Sequence, residues 1–293
     1  MTILAAISVG EHATAPLHLA TQFARTTGER VIAVTVLDSA PPAGNDPLEA
    51  EYLAYLTTQT RRQLEPVVER ARGECDISLV IHNAVSIPRG LTELAAEFSA
   101  SLVVVGSSSS GLLGRITLGS VTERLVHTAS VPVAFAPRGY CGGGRFTHLT
   151  VSYGGAARAE RLVHTAAEYA VRWQVPMRVA SFTVRPPMSY GGSIEATAED
   201  LVIKQWAHRT DTTLRRHLAE VRNTVALPDV ELALGAGIDW HEAVGAVGWT
   251  PGDLVILGSG AAGALTQVFL GSAAAKILRH VPAPAMVVPR NLT

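Results

Sequence analysis

The 293-residue chain is poor in charge and poorer in cysteine. Asp, Glu, Lys and Arg make up 17% of it, against 47% hydrophobic residues. A disordered chain has the opposite balance, so this one is expected to bury a core. Neither sign dominates: 24 basic and 25 acidic side chains leave a net charge of −1. Gripping nucleic acid through its phosphates takes clustered positive charge, so that class is set aside. Cys75 and Cys141 are too few for a disulfide framework and read as reduced thiols of a cytoplasmic protein. The opening MTILAAISVGE lacks a basic start and reads as a first strand rather than an export signal. The long uncharged stretch 254–275 carries Gly258, Gly260, Gly263 and Gly271 among serine and threonine. Strand, glycine loop and helix suit it better than a membrane span. Chemical motifs are scarce as well. No Gly-Lys-Ser/Thr follows either glycine loop, and Gly106 and Gly111 are one residue too far apart for a nucleophile elbow. The ten histidines do not fall at metal-ligand spacing and read as exposed or capping residues.

The chain does have an internal repeat. Residues 101–138 and 253–290 align without a gap at an offset of 152. Gly106 meets Gly258, Gly111 meets Gly263, and Gly119-Ser120 meets Gly271-Ser272. Pro132, Pro137 and Arg138 meet Pro284, Pro289 and Arg290. The starts agree more loosely, with 4–8 set against 149–153 and 31–37 against 178–184. A period this long marks a duplicated domain. The expected boundaries are 1–138 and 146–293, with the glycine-rich segment 139–145 as a flexible linker.

Each half alternates strands with helices. In the first, the apolar run ILAAIS is followed by a helix near 13–28, strand 31–37, a loop with Pro41, Pro42 and Gly44, and a helix near 48–73. Strand 77–85, helix 89–99, strand 102–106, helix 119–129 and strand 132–136 complete it. The second half is expected to place strands near 148–153, 177–184, 230–236, 253–258 and 284–288, with a long helix near 195–223. Such alternation predicts an α/β fold of two doubly wound parallel sheets with helices on both faces. Ligands of such sheets bind beyond the carboxyl ends of the strands, where the strand order reverses. Leu48, Tyr52, Tyr55, Leu56, Leu64 and Val67 recur at helical spacing and are expected to pack on the sheet. Pro66 is expected to kink or break that helix.

The segment VVVGSSSSGLLGRITLGSVTERL carries the main chemical signal. An apolar strand ends at Gly106, a Gly/Ser-rich loop follows, and a helix opens at Gly119-Ser120. Helix N-termini present unpaired N–H groups and partial positive charge, which suit a phosphate. Small residues let the main chain approach the anion, and Ser120 offers a cap or a hydroxyl. A plain strand–loop–helix turn with a serine cap would look the same.

In its spacing the segment resembles the universal stress protein family in its tandem form. The family motif is a glycine, two residues, a glycine, nine residues, then Gly-Ser or Gly-Thr, a helix, and a short Val-Pro-Val-Val strand. Gly106, Gly119, Ser120 and VPVAF at 131–135 fit it, as do Gly258, Gly271, Ser272 and APAMVV at 283–288. The resemblance implies a five-stranded parallel sheet of order 3-2-1-4-5 in each half, with the two halves paired through their last strands. It also implies an ATP site in at least one half, with magnesium as a possible companion. Gly106, Ser107, Ser109, Gly119, Ser120 and Val121 would meet the phosphates in the first half. Ser8 and Val36 would lie by the nucleoside, and Gly258, Ser259, Gly271 and Ser272 would form the second site. Two positions depart from the motif. Its second glycine is Ser109 in one half and Ala261 in the other, and a first-strand aspartate is replaced by Ser8 and, on this alignment, Tyr153. The expected function is a stress-response regulator that holds adenine nucleotide with little or no hydrolysis. A nucleotide-free interaction protein and a slow or self-phosphorylating ATPase are the alternatives, and a homodimer is a further expectation.

Overall fold

The computed structural model describes residues 1–10, 14–38, 47–73, 75–154, 157–185, 193–260 and 269–289. The first half runs β1 (Thr2–Ala6), α1 (Ala15–Thr27), β2 (Arg30–Asp38), α2 (Pro47–Arg72), β3 (Ile77–Ala84), α3 (Ile87–Glu97), β4 (Ala100–Gly106), α4 (Ser120–Thr128) and β5 (Val133–Ala136). The second runs β6 (His148–Ser152), α5 (Ala157–Trp173), β7 (Met177–Val184), α6 (Ser193–Arg222), β8 (Glu231–Gly237) and α7 (Trp240–Gly245). It ends with β9 (Asp253–Gly260), β10 (Phe269–Leu270), α8 (Ser272–His280) and β11 (Ala285–Val288). Ala261, Gly263, Arg290, Pro41, Pro42 and Gly44 of the sequence reading lie outside the described residues.

The strands form one continuous sheet in the order β3-β2-β1-β4-β5-β11-β9-β6-β7-β8, with β10 paired to β9. Each half therefore has the order 3-2-1-4-5, and its main strands are parallel. The halves meet at an antiparallel seam, where Ala285, Met286 and Val287 pair with Phe135, Ala134 and Val133. The carboxyl ends of the two sets of strands thus point in opposite directions. The central strands are largely apolar because helices cover both faces. One core layer joins α1, α2, α5 and α6 to the sheet around Phe23, Leu149 and Val179. The other joins α3, α4, α7 and α8 around Leu91, Phe135 and Leu278. Under the second half Arg178 and Asp253, 4% and 0% exposed, pair at 3.0 Å, and Thr150 accepts from the same guanidinium. No helix among the described residues is long and apolar enough to cross a membrane.

Three expectations change. Leu48, Tyr52 and Tyr55 are 73%, 58% and 58% exposed, and only Leu64 and Val68 of α2 are buried. A helix of 26 residues is about 39 Å long, whereas its neighbour β3 of eight residues spans about 26 Å, so the first turns overhang the sheet. The helix also continues through Pro66. That residue is exposed, so water can satisfy the carbonyl it leaves without a partner. The segment 139–145 is no loose tether. Tyr140 donates to Gln22, Arg25 to the Gly143 carbonyl, and Arg145 to the carbonyls of Thr26 and Trp173. These bonds hold it along α1 and tie α1 to α5.

Candidate functional site

Strand order reverses between β1 and β4, and a cleft of about 270 Å³ opens there beyond the carboxyl ends of the first-half strands. Ser8, Val36, Gly106, Ser107, Gly119 and Val121 all line it, as the sequence pattern expects. Ser109 and Ser120 do not. Both are exposed, Ser109 at the tip of the loop and Ser120 at the first helical position. Ser108 and Thr122 line the cleft instead.

The glycine loop is closed on itself. The Thr117 amide donates to Ser107 Oγ at 2.8 Å, and the Ser108 amide donates to the Thr117 carbonyl at 2.8 Å. Gly111 is tight here: a Cβ would lie 2.6 Å from Thr117 Oγ1. Arg138 donates to the Gly111 carbonyl at 2.6 Å and so pins the loop to the end of β5. The Ser107 hydroxyl is thus already engaged in holding the loop. Positive φ among described non-glycine residues is confined to Ser99 and Gln174. Ser109 therefore replaces the motif glycine without left-handed strain.

At the helix entrance Gly119 is the N-cap and Thr122 does the capping. Thr122 Oγ1 accepts from the Gly119 amide at 2.8 Å and donates to the Gly119 carbonyl at 2.9 Å. The first helical bond runs from the Glu123 amide to the Gly119 carbonyl, so the amides of Ser120, Val121 and Thr122 have no acceptor within the helix. Gly119 has φ −95°, which any residue adopts, and a Cβ there would meet nothing closer than Ser108 at 3.8 Å. Neither the backbone nor internal packing demands glycine. Its absent side chain leaves open space against those amides.

The end of the cleft beside β2 is apolar. Val36 on β2 is seated in α3 at Gly90, where a Cβ would lie 2.7 Å from Val36 Cγ1. Thr35 donates to the Ile7 carbonyl at 2.9 Å and fixes the end of β1 beside it. Ser8 is exposed at the cleft mouth. Among the described residues, none that lines the cleft is ionisable.

The second half differs at this end. Ala6 pairs with Val34 and the Ile7 amide donates to the Val34 carbonyl; Ser152 pairs with Ala180 and the Tyr153 amide donates to the Ala180 carbonyl. The ladder therefore equates Tyr153 with Ile7, Gly154 with Ser8 and Phe182 with Val36, one residue away from the sequence alignment. Tyr153 faces the α5–α6 layer, 3% exposed, and its hydroxyl contacts His217 Nδ1 at 2.8 Å. His217 is itself buried, with Nε2 2.9 Å from Glu160, so it is neither an exposed nor a capping histidine. Burial, with Glu160 nearby, raises the Tyr153 phenol above its ordinary range. Phe182 lies against Gly235 of β8, where a Cβ would sit 3.0 Å from its ring, and α7 rests on the same glycine through the Ala243 carbonyl. Gly258 and Ser259 lie near the end of β9, with the Ser259 hydroxyl buried, and Gly271 is the N-cap of α8 with Ser272 exposed after it.

The universal stress protein family (Usp) matches residues 1–137 and 145–289. The chain belongs to that family. The universal stress protein Rv2319c of Mycobacterium tuberculosis is 32% identical over 295 residues, covering 99% of this chain and 100% of that protein. A universal stress protein crystal structure from Archaeoglobus fulgidus superposes with a TM-score of 0.64 at 16% identity. It covers 99% of this chain and 98% of its own, so the whole two-half fold is shared. A second universal stress protein from the same organism was solved with dAMP; it matches 46% of this chain and 97% of its own at 23% identity and a TM-score of 0.34.

Proposed function

We propose that this universal stress protein is a stress-response regulator that holds one adenine nucleotide, ATP with magnesium, in the first-half cleft. The observation that carries the reading is the space left by Gly119 in front of the unpaired amides of α4. A phosphate chain suits that space, because amide dipoles at a helix start stabilise negative charge. The apolar wall at Val36 and Leu91 suits a purine ring, and Ser8 offers a hydroxyl to a ribose. The nucleotide is held rather than cleaved in this reading, since phosphoryl transfer relies on placed charge and the described lining supplies none. Phe182 in place of Val36, and Gly154 in place of Ser8, leave the second half without the same nucleoside end. The free thiols Cys75 and Cys141 suit a cytoplasmic setting. The two halves act in this account as one pseudo-dimer, with a homodimer as the next level of assembly.

A second reading, a nucleotide-free interaction protein, is favoured by the exposed Leu48, Tyr52 and Tyr55 on the overhang of α2. Thermal unfolding with added nucleotide separates the two, because a ligand that binds only the folded chain raises the midpoint. Millimolar ATP raises it and GTP does not under the first reading. No shift with either supports the second.

A further inference from the structure

Helix α8 ends against the first half of the chain. Its last internal bond runs from the Val281 amide to the Ile277 carbonyl, so the carbonyls of Leu278, Arg279 and His280 find no amide within the helix. Arg115 crosses the seam and donates to the His280 carbonyl. The same residue belongs to the glycine loop. Its amide donates to the Leu112 carbonyl at 3.2 Å, and its carbonyl accepts from the Arg138 amide at 3.0 Å. Two residues on, Thr117 clasps Ser107 and Ser108. One guanidinium therefore ties the loop of the first-half cleft to a helix end of the second half.

That helix end is titratable. The His241 ring, near the start of α7, lies 6.1 Å from the His280 ring between centroids. His241, Arg115 and Arg279 disfavour a proton on His280, and Asp239 at the N-cap of α7 opposes them. Lys276, one turn earlier on α8, is held over the Trp240 ring at 5.4 Å, and Glu123 and His127 of α4 line the adjoining groove with Arg279. Burial first, and then the neighbouring charges, lower His280 below its ordinary 6.5. The neutral ring is thus favoured in the folded chain. The stability it contributes is present above pH 6.5 and is lost as the pH falls through the lower folded value. At the repeat offset Thr128 answers His280 and Gln267 answers Arg115, so the reciprocal pair has no titratable member.

We propose that the His241–His280 pair is a proton-sensitive latch, which seats the glycine loop through Arg115 when neutral and releases it when protonated. An imidazolium at His280 sets like charges side by side, and withdrawal of the Arg115 guanidinium relieves them. Its withdrawal removes the cross-seam anchor of the segment from which Thr117 holds Ser107 and Ser108. The latch acts on the loop itself. Weaker holding of nucleotide in acid is a further consequence, and it rests on the function proposed above.

Hydrogen exchange of the nucleotide-free full chain tests the latch, read on peptides covering 107–118 and corrected for the intrinsic pH dependence of exchange. Protection is expected to fall about tenfold between about pH 7.5 and 5, the scale of one pKa unit of coupling. His280→Gln keeps the backbone carbonyl that Arg115 bonds, so it is expected to hold the loop protected at both pH values. Arg115→Gln is expected to leave the loop weakly protected at both. Proton NMR of the imidazole signals is expected to show His280 titrating below 6.5, and higher in Arg115→Gln. These readouts involve no nucleotide, so a failure of ATP to bind leaves them standing. Wild-type protection that ignores pH, a fall that persists in His280→Gln, or a His280 titration unmoved in Arg115→Gln overturns the assignment.

Discussion

Val36 and Phe182 hold the same place in the two sheets, a small side chain in one and a large one in the other. No pattern of small residues displays this in the sequence, because the glycine loops that mark the two halves are alike while the strand ends are not. Alignment of the first strands on their apolar runs sets Tyr153 against Ser8. Only the ladder hydrogen bonds of Ile7 and Tyr153 show the true register. A slip of one residue turns a side chain to the other face of a sheet, which is why Tyr153 belongs to the core with His217 instead of to a cleft. At the same scale, Tyr140 pins the interdomain segment to α1 through Gln22. Burial pushes its phenol from 10 up to about 12, with the Gln22 bond a smaller, opposing effect. The neutral form is thus favoured in the folded chain. Its contribution to stability is complete below pH 10 and is lost as the pH rises towards 12. Urea unfolding should show a loss of up to about 2 kcal/mol over that window after allowance for solvent screening. Tyr140→Phe should flatten the loss, and an unchanged slope in that variant would contradict the assignment.

At the scale of elements, the strands were the most legible part of the sequence. Buried on both faces, they appear as apolar runs such as LVVV at 102–105 and LVIL at 254–257, and these fall on β4 and β9. The sequence reading gives a range to α6 alone among the second-half helices, and α7 is the hardest of them to see because six residues carry no full amphipathic period. Its signal is in the cap: Asp239 accepts from the Glu242 amide at 2.8 Å, and Glu242 accepts from the Ile238 amide at 3.0 Å. The apolar spacing of α2 was visible, but periodicity alone cannot tell which turns overhang the sheet. In the glycine loop the sequence showed the residue types and not their division of labour. Ser107 looks like a phosphate ligand and serves as the clasp on Thr117. Ser107→Ala should therefore cost about 1 kcal/mol in chemical unfolding and also weaken ATP binding through a looser loop. Full retention of both stability and affinity would show that the clasp is dispensable.

Across the whole molecule, the seam between β5 and β11 makes one sheet of two copies. Phe135, Ala134, Met286 and Val287 are all 2% exposed or less, so parting the halves would expose a continuous apolar edge. Cleavage at a protease site inserted between Gly143 and Gly144 is expected to leave the fragments as one species in size-exclusion chromatography. Elution as two separate halves would show that the covalent link, and not the seam, joins them. Such an assembly can specialise its copies, and the proposed function gives a nucleotide to the first half alone. Native mass spectrometry with ATP measures that asymmetry directly. The account predicts one nucleotide per chain, lost in Gly119→Leu and kept in Gly271→Leu. An empty chain, two nucleotides per chain, or loss in Gly271→Leu alone would contradict it.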